Sequence, residues 1–137
     1  MKYRIIGNSI PNLPWEERPQ GCSDLVWRFS KNPLIGWNPI PKAARIFNSA
    51  VISYKSEFVG VFRADQKNGR ATLFSGKSHD GLRWEIGPDP INWVDEEGKP
   101  KPLSYGYDPR LVKIENTYYI VWCDDLHGPS IGLGKTQ

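Results

Sequence analysis

Phe47-Asn48-Ser49-Ala50-Val51-Ile52-Ser53-Tyr54 is followed by Lys55-Ser56-Glu57 and then by Phe58-Val59-Gly60-Val61-Phe62. The first run is apolar and continuous at Ala50, Val51 and Ile52, which predicts a buried strand. The polar triplet predicts a turn, and the second run a returning strand. Asn68-Gly69 is a strong hairpin signal, so Arg70 to Gly76 is expected as a third strand. His79-Asp80-Gly81 marks another turn, and Leu82-Arg83-Trp84-Glu85-Ile86 alternates as a fourth strand. Short antiparallel strands joined by tight turns are the makings of one propeller blade.

The pattern then recurs. Setting Phe47-Asn48 on Tyr107-Asp108 brings Val51 to Leu111, Ile52 to Val112 and Tyr54 to Ile114 without a gap. Lys55-Ser56 meets Glu115-Asn116, Phe58 meets Tyr118, Val61 meets Val121, Phe62 meets Trp122 and Asp65 meets Asp125. An internal repeat of this length signals a propeller or similar array. The expected divisions are an irregular N-terminal arm over 1–45, a first blade over 46–87, an inter-blade loop over 88–104 and an incomplete second blade over 105–137. Two blades cannot close a ring, so the chain is expected to be the N-terminal piece of a longer protein. A complete two-sheet sandwich is the competing architecture. Within the arm, prolines at 11, 14, 19, 33, 39 and 41 forbid long elements; Leu25 to Phe29 is its strand candidate, and Trp15, Trp27 and Trp37 are expected to pin it to the body.

The 137 residues, 39% of them apolar, can supply a core, and 13 Gly with 12 Pro favour a turn-rich β fold. A net charge of +3 with no Lys/Arg-rich run gives no reason to expect nucleic acid. Cys22 and Cys123 have no metal or redox spacing and are expected as free thiols. No signal-like or membrane-spanning run is visible, so a cytoplasmic protein without membrane contact is expected.

Asn48 and Asp108 occupy equivalent places at the start of inner strands, which predicts that they face one axial pocket. Pro109 stiffens the backbone beside Asp108. A carboxylate held in such a pocket can act as a general acid; it can equally be a turn cap. Arg110 would oppose protonation of Asp108 if it came close. Strand alternation puts Arg63 and Asp65 on one side, either as a pair suited to sugar hydroxyls or as a structural ion pair. His127 could donate to substrate oxygens or cap a turn. Asp124-Asp125 lacks a third ligand, so no metal is expected.

Several stretches together resemble one family: Pro14-Trp15-Glu16-Glu17-Arg18-Pro19, Gly21-Cys22-Ser23-Asp24, Ile46-Phe47-Asn48-Ser49, Gly60-Val61-Phe62-Arg63-Ala64-Asp65, Tyr107-Asp108-Pro109-Arg110 and His127-Gly128-Pro129-Ser130. They are similar to the β-mannoside phosphorylases of glycoside hydrolase family 130. The resemblance implies an all-β fold, here the first two blades of a five-bladed β-propeller, with the site on the axis. It implies Asp108 as catalytic acid and Asn48, Ser49, Arg63 and Asp65 as sugar-binding residues; from the residues themselves, Arg110 and His127 are further substrate-binding candidates. The implied reaction is inverting phosphorolysis of a β-1,4-mannoside such as mannosyl-glucose to α-mannose 1-phosphate and glucose. Inorganic phosphate is then a co-substrate and no cofactor is needed. The family's chief phosphate-binding cations lie in later blades, so this segment alone is expected to be inactive. A homo-oligomer of the whole enzyme is compatible with the resemblance. A β-mannoside hydrolase on the same fold and a non-catalytic carbohydrate-binding propeller are the alternatives.

Overall fold

A computed structural model describes residues 16–125 and 128–137. Among these residues the regular elements are seven strands in two antiparallel meanders. The first sheet runs β1 (Ala43–Tyr54), β2 (Glu57–Gln66), β3 (Ala71–Ser78) and β4 (Glu85–Pro90), in that order. The second runs β5 (Tyr107–Ile114), β6 (Thr117–Asp124) and β7 (Ser130–Thr136). No helix among the described residues is long and apolar enough to cross a membrane.

The repeat read from the sequence extends to the backbone. Tyr54 pairs with Glu57 and Ile114 with Thr117, leaving two-residue turns at Lys55-Ser56 and Glu115-Asn116. Lys55 and Glu115 both sit at φ 54°, the left-handed first position that a tight hairpin demands. The Asn68-Gly69 turn is built as expected. Gly69 takes φ 80°, and Asn68 Oδ1 accepts the Arg70 N–H at 2.9 Å.

Three local expectations are corrected. Leu25 to Phe29 forms no strand; Leu25 and Val26 are exposed, because no neighbouring strand edge offers them pairing or cover. Trp37 is exposed, yet its ring packs on Arg45 of β1, so it touches the body without being buried; Trp15 lies outside the described residues. The fourth strand starts at Glu85 rather than Leu82. Asp80 Oδ1 accepts the N–H groups of Leu82 and Arg83 at 2.8 and 2.9 Å, which holds these residues in a turn. β4 then continues through Pro88 and Pro90, into the stretch read as loop. An edge strand tolerates both prolines, since one side of it has no partner to donate to.

The main core lies between the sheets. Val61, Leu73, Ile120 and Trp122 are buried there, with Ile91, Trp93, Leu103 and Leu111 packed around them. The Trp93 and Trp122 rings sit 4.5 Å apart between centroids. Gly132 and Gly134 on β7 make room for them, because a Cβ at either position would run into an indole ring. The loop between the sheets is tied at both ends to β3, by Ile91 N–H to Leu73 O at 2.9 Å and Gly106 N–H to Ala71 O at 3.0 Å. A second cluster, Ala43, Ala64 and Phe74, covers the other face of the first sheet with Ile40, Ile46 and Ile86. The outer face of the second sheet leaves Val112, Ile114, Ile131 and Leu133 exposed.

Candidate active site

The inner strand of each sheet carries a β-bulge near its start. On β1 the register shifts between Ile46 and Ser49, so Phe47 and Asn48 together oppose Arg63. On β5 it shifts between Tyr107 and Arg110, so Asp108 and Pro109 together oppose Trp122. A bulge re-aims side chains that regular alternation would fix. Here it brings Asn48 and Asp108 together across the seam: Asn48 Nδ2 donates to Asp108 Oδ1 at 2.5 Å. Ser49 Oγ donates to Phe47 O at 2.8 Å, a local bond that spans the first bulge.

Asp108 itself has φ 51°, in the left-handed region. Aspartate visits this region more readily than most residues, yet it remains a sparsely used conformation and here precedes a proline. Such outliers persist only where the surroundings hold them. The fully buried Pro109 and the bond from Asn48 supply that hold. The Asp108 side chain remains 34% exposed.

Arg63 lies beside it on β2. Its Nε donates to Asp65 Oδ1 at 3.1 Å, and its Nη1 stands 3.8 Å from Asp108 Oδ1. Arg63 and Asp65 do share one side of the strand, as the alternation predicts. Arg110 bends back onto the backbone: its Nη1 donates to the carbonyl oxygen of Pro109 at 2.9 Å and lies 3.5 Å from that of Asp108. Among the described residues, the cation facing the Asp108 carboxylate is therefore Arg63. Burial holds the Tyr107 hydroxyl above the usual phenol range, with Cys123, Asp125, Tyr105 and Asp108 adding to the effect. His127 lies outside the described residues. No three His, Cys, Asp or Glu side chains among the described residues stand close enough to cage a metal ion.

The cluster thus holds a carboxyl group with one oxygen engaged by an amide, a cation just beyond hydrogen-bond range, and a second carboxylate tied to that cation. Such a cluster offers charged hydrogen-bonding groups to a hydroxyl-rich ligand. Sequence reasoning missed the two aromatic rings beside Arg63. The Arg63 Cζ lies 5.0 Å from the Phe47 ring centroid and 5.7 Å from that of Tyr107. The signal was in the repeat, since an aromatic residue precedes both Asn48 and Asp108.

The family model for glycoside hydrolase family 130, described as beta-1,4-mannooligosaccharide phosphorylase, matches residues 8–137. A curated beta-1,4-mannooligosaccharide phosphorylase of Ruminococcus albus is 42% identical over 145 residues, covering 99% of this chain and 43% of that protein. The chain therefore spans less than half the length of that relative. One solved structure comes from the GH130 family of mannoside phosphorylases, which contains glycoside hydrolases that target beta-1,2 mannosidic linkages in Candida mannan. It aligns with TM-score 0.56 at 21% identity, over 88% of this chain and 37% of the other. A glycosyl hydrolase from Bacteroides ovatus aligns with TM-score 0.55 at 21% identity, over 69% of this chain and 29% of the other. These structural likenesses speak to fold, and the two sheets are the first two blades of a five-bladed β-propeller. With its length matched almost throughout, the chain belongs to glycoside hydrolase family 130.

Proposed function

We propose that this chain supplies the acid side of an inverting β-1,4-mannoside phosphorylase. The observation that carries the reading is Asp108, held at the blade seam by Asn48 and faced by Arg63. A hydrolase that inverts needs both an acid and a base. A phosphorylase needs one acid, because phosphate arrives as an anionic nucleophile, and cations to hold it. In the proposed reaction a phosphate oxygen forms the new bond to the anomeric carbon from the α face. The bond from that carbon to the glycosidic oxygen breaks, and the departing oxygen takes a proton that originates on Asp108 and passes through a mannose hydroxyl. Mannosyl-glucose would give α-mannose 1-phosphate and glucose; the name of the R. albus relative supports a mannooligosaccharide as the other substrate class. Asn48, Ser49, Arg63 and Asp65 are proposed to hold the mannosyl unit. The phosphate-binding cations are proposed to come from blades outside this segment, which alone would then be inactive.

The test uses the full polypeptide that carries this chain. Turnover of a β-1,4-mannoside is expected to depend on phosphate and to yield mannose 1-phosphate. Asp108→Asn is expected to abolish it with the melting temperature unchanged. Equal turnover without phosphate would favour the hydrolase reading, and near-normal activity of Asp108→Asn would remove Asp108 from the chemistry.

A further inference from the structure

A row of alternating rings and guanidinium groups crosses the mouth of the two blades. Arg45 Cζ lies 4.9 Å from the Trp37 ring centroid and 5.5 Å from that of Phe47. The other side of the row continues from Phe47 to Arg63 at 5.0 Å and from Arg63 to Tyr107 at 5.7 Å. Tyr107 then meets Tyr105 edge-on, with centroids 5.5 Å apart. Each cation is within the range where the ring quadrupole attracts it. Phe47 is 41% exposed and belongs to neither core cluster, so hydrophobic burial does not account for its position.

We propose that Phe47 and Tyr107 are positioning residues that clamp the Arg63 guanidinium, with Arg45 and Trp37 bracing Phe47 from outside. This rests on the reading of Asp108 as the acid. Arginine and carboxylate prefer a two-pronged contact at about 2.7–2.9 Å. Arg63 stops short of it, with Nη1 3.8 Å from Asp108 Oδ1 while Nε is committed to Asp65. A full pair would occupy the carboxyl edge that must exchange a proton. The rings limit how far the guanidinium can swing, and so keep that edge open to substrate. The first bulge is what makes the clamp: it sets Phe47 and Asn48 together opposite Arg63, one against the cation and one against the acid.

Two readouts in the full polypeptide test the clamp. The first needs no activity. The Arg63 Nε–H resonance, assigned by its loss in Arg63→Lys, is expected to carry a ring-current shift that Phe47→Leu reduces and Phe47→Tyr retains. The second is kinetic. Phe47→Leu is expected to lower kcat/KM about tenfold when Arg63 is present, and by less than about twofold in the Arg63→Lys background, where no guanidinium plane remains to clamp. Phe47→Tyr is expected to recover the loss. An unmoved resonance in Phe47→Leu, or equal losses in both backgrounds, overturns the proposal. Activity surviving in Asp108→Asn overturns the acid assignment instead, and the resonance still decides whether the clamp exists.

Discussion

Asn48 Nδ2 and Asp108 Oδ1 lie 2.5 Å apart, in a hydrogen bond that joins two blades across 60 residues of chain. Removing a donor to an ionisable acceptor costs about 1.5–3 kcal/mol. Asn48→Ala in the full polypeptide is therefore expected to lower the proposed phosphorolysis about ten- to hundredfold. Because this bond also holds the left-handed backbone at Asp108, the melting temperature is expected to fall as well. Steady-state kinetics beside a thermal melt check both halves.

The left-handed backbone at Asp108 gives a separate expectation for stability. Glycine and asparagine accept φ near 51° more readily than alanine does. Asp108→Ala and Asp108→Gly both lose the bond from Asn48, and the alanine variant is expected to be less stable than the glycine variant by about 1 kcal/mol, whereas Asp108→Asn keeps an acceptor and is expected to melt close to the unsubstituted protein. Equal melting of the alanine and glycine variants would show that the backbone there is unstrained.

Gly132 is expected to resist enlargement. A methyl group at this position would collide with the Trp122 indole, which is itself buried. Gly132→Ala is expected to cost about 1–3 kcal/mol through overpacking. Denaturant unfolding followed by tryptophan fluorescence measures this, and a shift in the native emission would report the displaced ring.

The Asp80 turn predicts an acid-sensitive contribution to folding. The amides of Arg83 and Leu82 hold its carboxyl below the usual range, with the Ser78 hydroxyl adding to them. A carboxyl with a lowered native pKa binds its proton more readily in the unfolded chain. Its stabilisation is thus complete above the unfolded value of about 3.9 and is lost as pH falls through the native value. Asp80→Asn is expected to flatten the dependence of melting temperature on pH below about 4. An unchanged acid slope would mean that this turn is not what protonation weakens.

Much of this molecule was legible because a two-residue alternation and turn chemistry act locally. The hairpins at Lys55-Ser56 and Glu115-Asn116 and the equivalence of Asn48 with Asp108 follow from matching one run of residues to another. Leu25 to Phe29 has strand composition but no strand, since pairing needs an edge that lies elsewhere in space. The fourth strand moved toward its prolines because Asp80 captures two amides that alternation alone cannot reveal. The bulges are equally hidden, and with them the reason that Arg63, rather than the adjacent Arg110, faces the carboxylate. Residue types identify a cation nearby in sequence; only the kinked strand decides which cation arrives.

The Trp93–Trp122 contact between the sheets has a consequence for rate as well as for stability. Asp108 belongs to one blade, while Asn48 and Arg63 belong to the other, so their spacing is a gauge of how the blades are set against each other. Displacements of about 1 Å at a reacting group can cost a hundredfold in rate. The two indoles in the wedge, and the glycines that admit them, therefore act as the shim that sets the gauge. For the proposed acid role of Asp108, substitutions there are expected to slow turnover as well as to lower stability.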